Sequence, residues 1–503
     1  MQSRSINRVV AVAIIAVVVL GATASIGWTL GVLRPADDEL LPLVLRVAIV
    51  FFTVEATRMF VHVMIGASFY RPAEQLQGSG FAPLTSVVIP AWNEEVGLGK
   101  TIDSVLASDY ANLEIIIVND GSTDRTAEVA QRYVDENPGR VFLVNQENAG
   151  KGAALNSGVM HGFGQIIVNV DADSAVEPEA IGNLVKPFAS KRVDAVVGRI
   201  VIGNTKKFVG KSQAFEYMFG FHLRRAQSVF NTIFILSGAM CAYRRSAWQQ
   251  THGFRDFSKT EDMDFSLQLR DAGLGLVYAD DAVCITEGAA DLSGLRNQRR
   301  RWRFGAFFCF GAHRRLFLDR RRGNRSLGFY ELPSSLLGYV QILLYPLVFA
   351  VAFILPIHTG QYLYFYLVLL SVPANFAVVF YASGTLRKYA KYLPVLIVLM
   401  CVTMAVEHLM MWSALARYLT GNDVSWTNWT RQGVDGESGV DRVAVPGVPA
   451  MTLAEQMDAR MVRGLREILD RTEPPVFVEP PTVTAADAEQ DPTGEHERVL
   501  EPA

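Results

Sequence analysis

Four short stretches carry residue types that do chemistry in combination: Val118-Asn119-Asp120, Asp171-Ala172-Asp173, Thr260-Glu261-Asp262 and Gln298-Arg299-Arg300-Arg301-Trp302, in that order. Carboxylates one residue apart repel each other, and a hard divalent cation shared with phosphate oxygens relieves the repulsion. Mg2+ or Mn2+ is therefore the ion expected at Asp171 and Asp173. A carboxylate enclosed in a cleft has its proton affinity tuned toward that of a general base for a hydroxyl. Asp262 is the choice for that work, with Glu261 supporting the acceptor or the helix start. A guanidinium forks onto a diphosphate while an indole offers an apolar face to a sugar ring. Arg301 would thus stabilise charge on a leaving group, beside Trp302 as a platform. A nucleotide holder, a cation on a diphosphate, a base and an acceptor face are the parts that sugar transfer from a nucleotide requires.

Each stretch also has a plainer reading. Asp-x-Asp is common by chance and alone reads as a solvated turn; Gly121-Ser122-Thr123-Asp124 reads as a turn whose Ser and Thr cap the helix starting near Arg125. Thr260-Glu261-Asp262 reads as a helix cap with favourable negative charge. The elements that would position the residues shift the balance. Ser86 to Pro90 is a short apolar strand, Glu94 to Leu106 a helix and Glu114 to Val118 a second strand, and Gln165 to Val170 runs into Asp171. Strand and helix in alternation predict a parallel sheet covered on both faces, with ligands at the carboxyl ends of its strands. Pro90, Asn93, Glu94, Asp120 and Asp171 stand at such ends. Lys151 follows Gly150 at the start of a helix, where backbone amides and an ammonium meet a nucleotide or its phosphates, or where the lysine is simply solvated.

At 503 residues and 50% apolar content, the chain is long enough for one soluble domain and several membrane segments. A net charge of −3 gives no indication of nucleic acid. Its four cysteines, Cys241, Cys284, Cys309 and Cys401, are too scattered for a metal cluster and read as buried or reduced thiols. The apolar stretches Val9 to Leu33 and Leu41 to Met64 are each long enough to cross a hydrocarbon core of roughly 30 Å. Apolar sequence continues past the small-residue site Ala22-Thr23-Ala24, which favours a retained span over a cleaved signal. Three further stretches, Leu336 to Ile357, Tyr362 to Ala382 and Leu393 to Leu415, read as spans. Arg4, Arg8 and Arg71 flank the first pair, and Arg387, Lys388 and Lys391 lie between the last two, all on the cytoplasmic side. The expected domains are two membrane helices over 1–71, a cytosolic catalytic domain over 72–325, about three membrane helices over 326–420, and a juxtamembrane segment with an acidic, largely disordered tail over 421–503. Met451 to Leu469 could form an amphipathic helix within that tail. The remaining arginines near Gln298 read as membrane-surface flanks, and interfacial helices are expected over Phe208 to Phe230 and Leu295 to Leu318. Glu55 and Arg58 form an ion pair or line a path through the membrane.

The region from about Thr85 to Trp302 resembles a processive, membrane-integrated family 2 glycosyltransferase, the group that includes cellulose, chitin, hyaluronan and poly-N-acetylglucosamine synthases. The resemblance implies an α/β GT-A (Rossmann-like) cytosolic domain with flanking transmembrane α-helices, a UDP-sugar donor, a divalent metal and inversion at the anomeric carbon. It implies that Asp120 contacts the nucleotide, Asp171 and Asp173 hold the metal, and Asp262 is the base. Pro90, Asn93, Glu94, Lys151 and Arg301 would join the donor site. Ser237, Gly238, Gln298, Arg299 and Trp302 would form the acceptor and diphosphate site. The intact Thr-Glu-Asp resembles cellulose and poly-N-acetylglucosamine synthases more than hyaluronan synthases, and the two-plus-three arrangement of spans resembles the poly-N-acetylglucosamine branch, which is therefore favoured. The expected partners are a polysaccharide or glycolipid acceptor, the lipid bilayer and a small membrane subunit, and the location is the plasma membrane, multi-pass, with the catalytic domain cytoplasmic. A non-processive glycolipid transferase is the alternative, and a non-catalytic scaffold a remoter one. Trp426 to Gly433 resembles the gating segment of such synthases, but three trailing spans would place it outside, so an interfacial aromatic belt is preferred.

Overall fold

The computed structural model describes residues 6–30, 43–72, 81–255, 259–344, 346, 354, 357 and 363–422. Met1–Asp441 groups as one compact unit and Arg442–Ala503 as a second, which lies outside the described residues together with Trp426 to Gly433 and Met451 to Leu469. Two apolar helices come first, α1 (Arg8–Thr29) and α2 (Leu43–Ser68). Their stretches Arg8–Gly27 and Ile49–Ser68 are long and apolar enough to cross a membrane, by length and composition. Within α2, Arg58 donates from Nε and a terminal nitrogen to Glu55 Oε2 at 2.9 and 2.7 Å, so the pair is an intrahelical ion pair.

The alternation expected after residue 80 is present: β1 (Thr85–Ala91), α3 (Leu98–Leu106), β2 (Leu113–Asp120), α4 (Thr126–Glu136), β3 (Val141–Gln146), α5 (Lys151–His161) and β4 (Ile166–Val170). Then follow β5 (Ser174–Val176), α6 (Ala180–Val185), β6 (Ala195–Ile202), α7 (Phe208–Phe230), β7 (Met240–Arg244), α8 (Arg245–Gln250), α9 (Glu261–Asp271), β8 (Leu276–Thr286) and α10 (Leu292–Ala312). The strands form one eight-stranded sheet in the order β3-β2-β1-β4-β7-β6-β8-β5. Its first half is parallel, as expected, but β7 runs antiparallel to both β4 and β6, and β5 antiparallel to β8. The expectation of a parallel sheet is corrected there to a mixed one. A strand buried on both faces reads as the same apolar run in either direction, so its polarity is not written in its composition.

Valine and isoleucine from β1, β2 and β4 make the core, with Val87, Ile89, Ile117 and Val168 all at 0% exposure. Helix α5 lies close on this sheet because Gly158 has no side chain: a Cβ there would stand 2.3 Å from Val88 Cγ1. Cys241, Cys284 and Cys309 are buried thiols, as expected. Residue Tyr70, just after α2, ties the apolar helices to the domain by donating to the Tyr278 carbonyl at 2.8 Å. Beside it Arg225 of α7 donates to Asp280 Oδ2 at 2.6 Å and Tyr278 donates to Asp280 Oδ1 at 2.8 Å, so the buried charge is paired on both sides.

The chain ends its described part with α11 (Leu332–Leu343), entered through a π-helical turn at Leu327–Glu331, α12 (Leu363–Ala382), the short α13 (Leu386–Tyr389) and α14 (Leu393–Thr420). The expectation of three trailing spans falls in part on residues outside the described set.

Candidate active site

Asp120 ends β2 with 3% exposure, so its carboxylate needs partners. Oδ1 accepts from Gln146 Nε2 at 2.7 Å and from the Ala149 amide at 2.9 Å, and Oδ2 accepts from the Gly150 amide at 2.9 Å. It thereby shapes the loop that delivers Lys151 to the first position of α5. On the other side of the strand ends, Asn93 adopts φ +55° and its Oδ1 accepts from the Thr123 amide at 2.8 Å. The Glu94 amide donates to Thr126 Oγ1 at 2.8 Å. These bonds clasp the loops after β1 and β2 into one rim, with Pro90 still inside β1. Ser122 and Thr123 do not cap α4, contrary to expectation. Asp124 Oδ1 accepts from the Thr126 amide at 3.0 Å instead, since a carboxylate next to the helix start competes better than a hydroxyl for that donor.

Lys151 Nζ is the centre of the cluster. It lies 2.5 Å from Asp171 Oδ1 and 3.2 Å from Glu261 Oε1, and donates to the Gly238 carbonyl at 3.2 Å. Burial opposes its charge, but Asp171 and Glu261 outweigh it and hold the ammonium's pKa above its ordinary value. The Asp171 carboxyl is pushed up to about 6 by burial, with Lys151 pulling it back and Asp173 adding repulsion. Asp173 Oδ1 accepts from Ser174 Oγ at 3.1 Å and Thr286 Oγ1 at 3.3 Å. Among the described residues no three or more His, Cys, Asp or Glu cluster as a ready metal site. Two hard carboxylates with mutual repulsion and one lysine as present counter-ion nevertheless fit a divalent cation whose other ligands are phosphate oxygens and water.

Glu261 and Asp262 open α9. Thr260 precedes them without a side-chain cap bond, and its Oγ1 lies 3.4 Å from Cys309 Sγ, so the plainer reading of this stretch as a hydroxyl cap does not hold. Burial raises the Glu261 carboxyl, but Lys151 and Arg301 together bring it below its usual range. Asp262 goes the other way, up to about 6, because burial and the charge of Glu261 both disfavour its ionised form. Its Oδ2 accepts from the Gly238 amide at 3.1 Å and its Oδ1 from the Met263 amide at 2.8 Å. Gly238 thus touches Asp262 through its N–H and Lys151 through its C=O. A Cβ at Gly238 would stand 3.3 Å from both Asp262 Oδ2 and Lys151 Nζ. Gly238→Ala is therefore expected to cut turnover by about tenfold, with little change in thermal unfolding, as initial rates and a melting curve would show.

On α10, residues 299 and 301 are about 200° apart and residues 299, 302 and 303 share a face. Arg301 accordingly donates to the Lys259 carbonyl at 3.3 Å, and its charge is felt by Glu261 and Asp262. Arg299 goes elsewhere: it is 1% exposed and its guanidinium is taken up by Glu216 at 2.7 Å and Glu407 at 3.1 Å. That engagement departs from the diphosphate contact expected of it. Its carbon Cζ sits over the Trp302 ring, 4.5 Å from the centroid, and Tyr217 packs on the same indole at 6.4 Å. Gln298 is 6% exposed and its Oε1 meets no donor among the described residues. Sequence reasoning missed Glu216, Tyr217, Thr286 and Glu407; a lone acid in an apolar stretch was the signal available for Glu407.

The structure therefore brings Lys151, Asp171, Glu261, Asp262 and Gly238 into direct contact, with Asp120 bonded to the loop before Lys151 and the charge of Arg301 felt by Glu261 and Asp262. Residues 86–251 match Glycosyl transferase family 2, a stretch that contains Asp120, Lys151, Asp171, Asp173 and Gly238 and stops before α9 and α10. The chain is 32% identical over 235 residues to the poly-beta-1,6-N-acetyl-D-glucosamine synthase of Staphylococcus aureus strain COL, which covers 46% of this chain and 55% of the relative. It is 30% identical, over the same shares, to the synthase of that name from Staphylococcus epidermidis. The matched part thus spans about half the length of these relatives. Among solved structures, a mannosyltransferase from Pyrobaculum calidifontis in complex with GDP-Man and Mn2+ aligns with a TM-score of 0.51 and 19% identity, covering 76% of this chain and 100% of that one. It shares the Rossmann-type α/β fold. With strand-end carboxylates, a lysine at their centre and this match in agreement, the chain carries a glycosyl transferase family 2 domain.

Proposed function

We propose that this protein transfers a sugar, N-acetylglucosamine ahead of glucose, from a UDP-sugar to a growing β-linked polysaccharide, with inversion, at a membrane. The observation that carries the reading is the convergence of Asp171, Glu261 and Gly238 on Lys151 Nζ, with Asp262 on the same glycine. In this reading the diphosphate end of the site lies beside the base. Asp262, ionised, takes the proton of the acceptor hydroxyl while that oxygen bonds to the anomeric carbon from the face opposite the diphosphate. The anomeric carbon–oxygen bond to UDP breaks, and Arg301 and Lys151 face the charge that develops on the leaving group. A divalent cation at Asp171 and Asp173, when bound, supplies positive charge against the diphosphate. Pro90, Asn93, Glu94 and Asp120 form the nucleotide rim, and Ser237, Gly238, Gln298 and Trp302 the acceptor side. The apolar helices hold the domain at the cytoplasmic face of the plasma membrane, where the product enters the span region. Identity to the staphylococcal synthases supports N-acetylglucosamine as the donor sugar.

Membranes given radiolabelled UDP-N-acetylglucosamine, UDP-glucose or other UDP-sugars with Mg2+ or Mn2+ test the proposal by product size. Long polymer from one UDP-sugar is the expected result. Short lipid-soluble product would move the assignment to a glycolipid transferase, and no turnover of any UDP-sugar would sink it.

The raised Asp262 carboxyl gives a pH signature. Protonation disables the base, so the rate is expected to fall roughly tenfold per pH unit below about 6 and to level off above it. Asp171 is pushed up to about 6 as well, so the inflection read from kcat/KM against pH belongs to both carboxylates.

A further inference from the structure

Arg299, Arg303, Glu216 and Glu407 form a cluster of two cations and two anions drawn from three helices. Arg299 donates to Glu216 Oε2 of α7 at 2.7 Å, and its Nε lies 3.1 Å from Glu407 Oε1 of α14 as an ion pair outside hydrogen-bond geometry. Arg303 donates from Nε to Glu407 Oε2 at 2.8 Å, and its guanidinium covers the Tyr339 ring at 5.0 Å. Charges balance, which makes the burial tolerable. An apolar pair of matching shape would join the three helices at least as well, so helix docking alone leaves the cluster's chemistry unexplained. What the charges do add is a flat cation fixed against an indole. The guanidinium of Arg299 has one carboxylate on each of two other helices, and its Cζ lies 4.5 Å from the Trp302 ring centroid. Tyr217, the neighbour of Glu216, contacts the same indole at 6.4 Å. Residues on α7 and α14 therefore hold the guanidinium that lies over the ring.

We infer that Arg299 is a positioning residue: held by Glu216 and Glu407, it sets the ring plane of Trp302 and so couples the apolar helix α14 to the acceptor side of the site. The inference rests on the proposed reading of Trp302 as an acceptor-facing ring. Lysine at position 299 keeps the charge but loses the planar fork that two carboxylates and an indole can share. Glutamine at 407 removes one of the two anchors.

The test uses the full-length protein in detergent, with a short β-linked N-acetylglucosamine oligomer and UDP-N-acetylglucosamine as separate binding probes. Tryptophan emission is recorded as the difference between each protein and its own Trp302→Phe counterpart, which isolates the signal of Trp302. Arg299→Lys and Glu407→Gln are expected to weaken oligomer binding about tenfold, with UDP-sugar binding within about twofold of wild type, and to shift the Trp302 difference emission. Glu407→Asp, which keeps the carboxylate, is expected to recover part of both changes. A cooperative melting transition certifies that each variant is folded, and Glu407→Gln serves where Arg299→Lys does not fold. An unchanged Trp302 emission in the folded variants overturns the inference, as does an equal loss of donor and oligomer affinity. If wild-type protein binds UDP-sugar but not the oligomer, the proposed acceptor fails. The emission comparison then decides the ring positioning by itself.

Discussion

Asp262→Asn is expected to reduce sugar transfer by at least about a thousandfold while leaving donor affinity close to wild type. Asparagine has the size of aspartate, and its carbonyl oxygen still accepts from the Gly238 amide that Asp262 Oδ2 binds at 3.1 Å. What it lacks is a basic oxygen. The effect on stability has the opposite sign. Burial and Glu261 raise the Asp262 carboxyl from 3.8 to about 6, so the folded state holds the proton more tightly than the unfolded chain does. The stabilisation that follows is complete below the unfolded value and is lost as the pH rises through about 6. At neutral pH wild-type protein carries the cost of an ionised Asp262, and the asparagine variant does not. Its melting temperature should match or exceed that of wild type at pH 7.5, and the two should converge near pH 4. A folded variant that retains turnover within tenfold of wild type would remove Asp262 from the role of base.

Lys151→Met should be the most damaging single change in both respects. Methionine fills most of the volume of the lysine stem, yet Asp171 and Glu261 lose the cation that stands 2.5 and 3.2 Å from them. Their side chains are 28% and 8% exposed, so water replaces little of the lost attraction. Stranding carboxylates in this way costs about 3 kcal/mol, which for a domain of this size lowers the melting temperature by roughly 5–10 °C. Burial already raises Asp171, and removing Lys151 raises it further. The destabilisation should therefore shrink as the pH falls through the carboxylate range, where protonation replaces the missing cation. Adding Asp171→Asn to Lys151→Met should restore part of the melting temperature and none of the activity. Calorimetry across pH together with initial rates checks both parts, and a melting temperature equal to wild type at pH 7.5 would refute the counter-ion role.

Much of the fold was legible because a buried strand needs an unbroken apolar run and a strand end needs polar residues to meet solvent or ligand. The runs at 86–90, 114–118 and 165–170 became β1, β2 and β4 within a residue or two, and the helix expected over Phe208 to Phe230 is α7 with the same bounds. Strand direction was not legible: Met240–Arg244 has the same apolar character whether it runs with β4 or against it. The plainer reading as a helix cap fails at both Ser122 and Thr260. A nearby carboxylate took the amide in one case, and the hydroxyl faces Cys309 in the other.

The candidate site divides along the same line. Residue type and position after a strand or before a helix singled out Asp120, Lys151, Asp171, Asp173 and Asp262, since local sequence alone decides which side chains stand at those ends. Contact between them was decided by tertiary structure. Lys151 and Glu261 are 110 residues apart in the chain, and only the packing of α5 and α9 around the Gly238 turn puts their charged ends 3.2 Å apart. The arginines of α10 show the difference most plainly. All of Arg299, Arg300 and Arg301 are the same residue in the sequence. A helix turns about 100° per residue, so one faces the two acids of α9 while another is buried between Glu216 and Glu407. Sequence determined that guanidinium groups and an indole would be present on α10. Which guanidinium meets the site, and which one holds the indole, was decided by the helices packed around them, because the field that assigns each charge its partner exists only when the chain is folded.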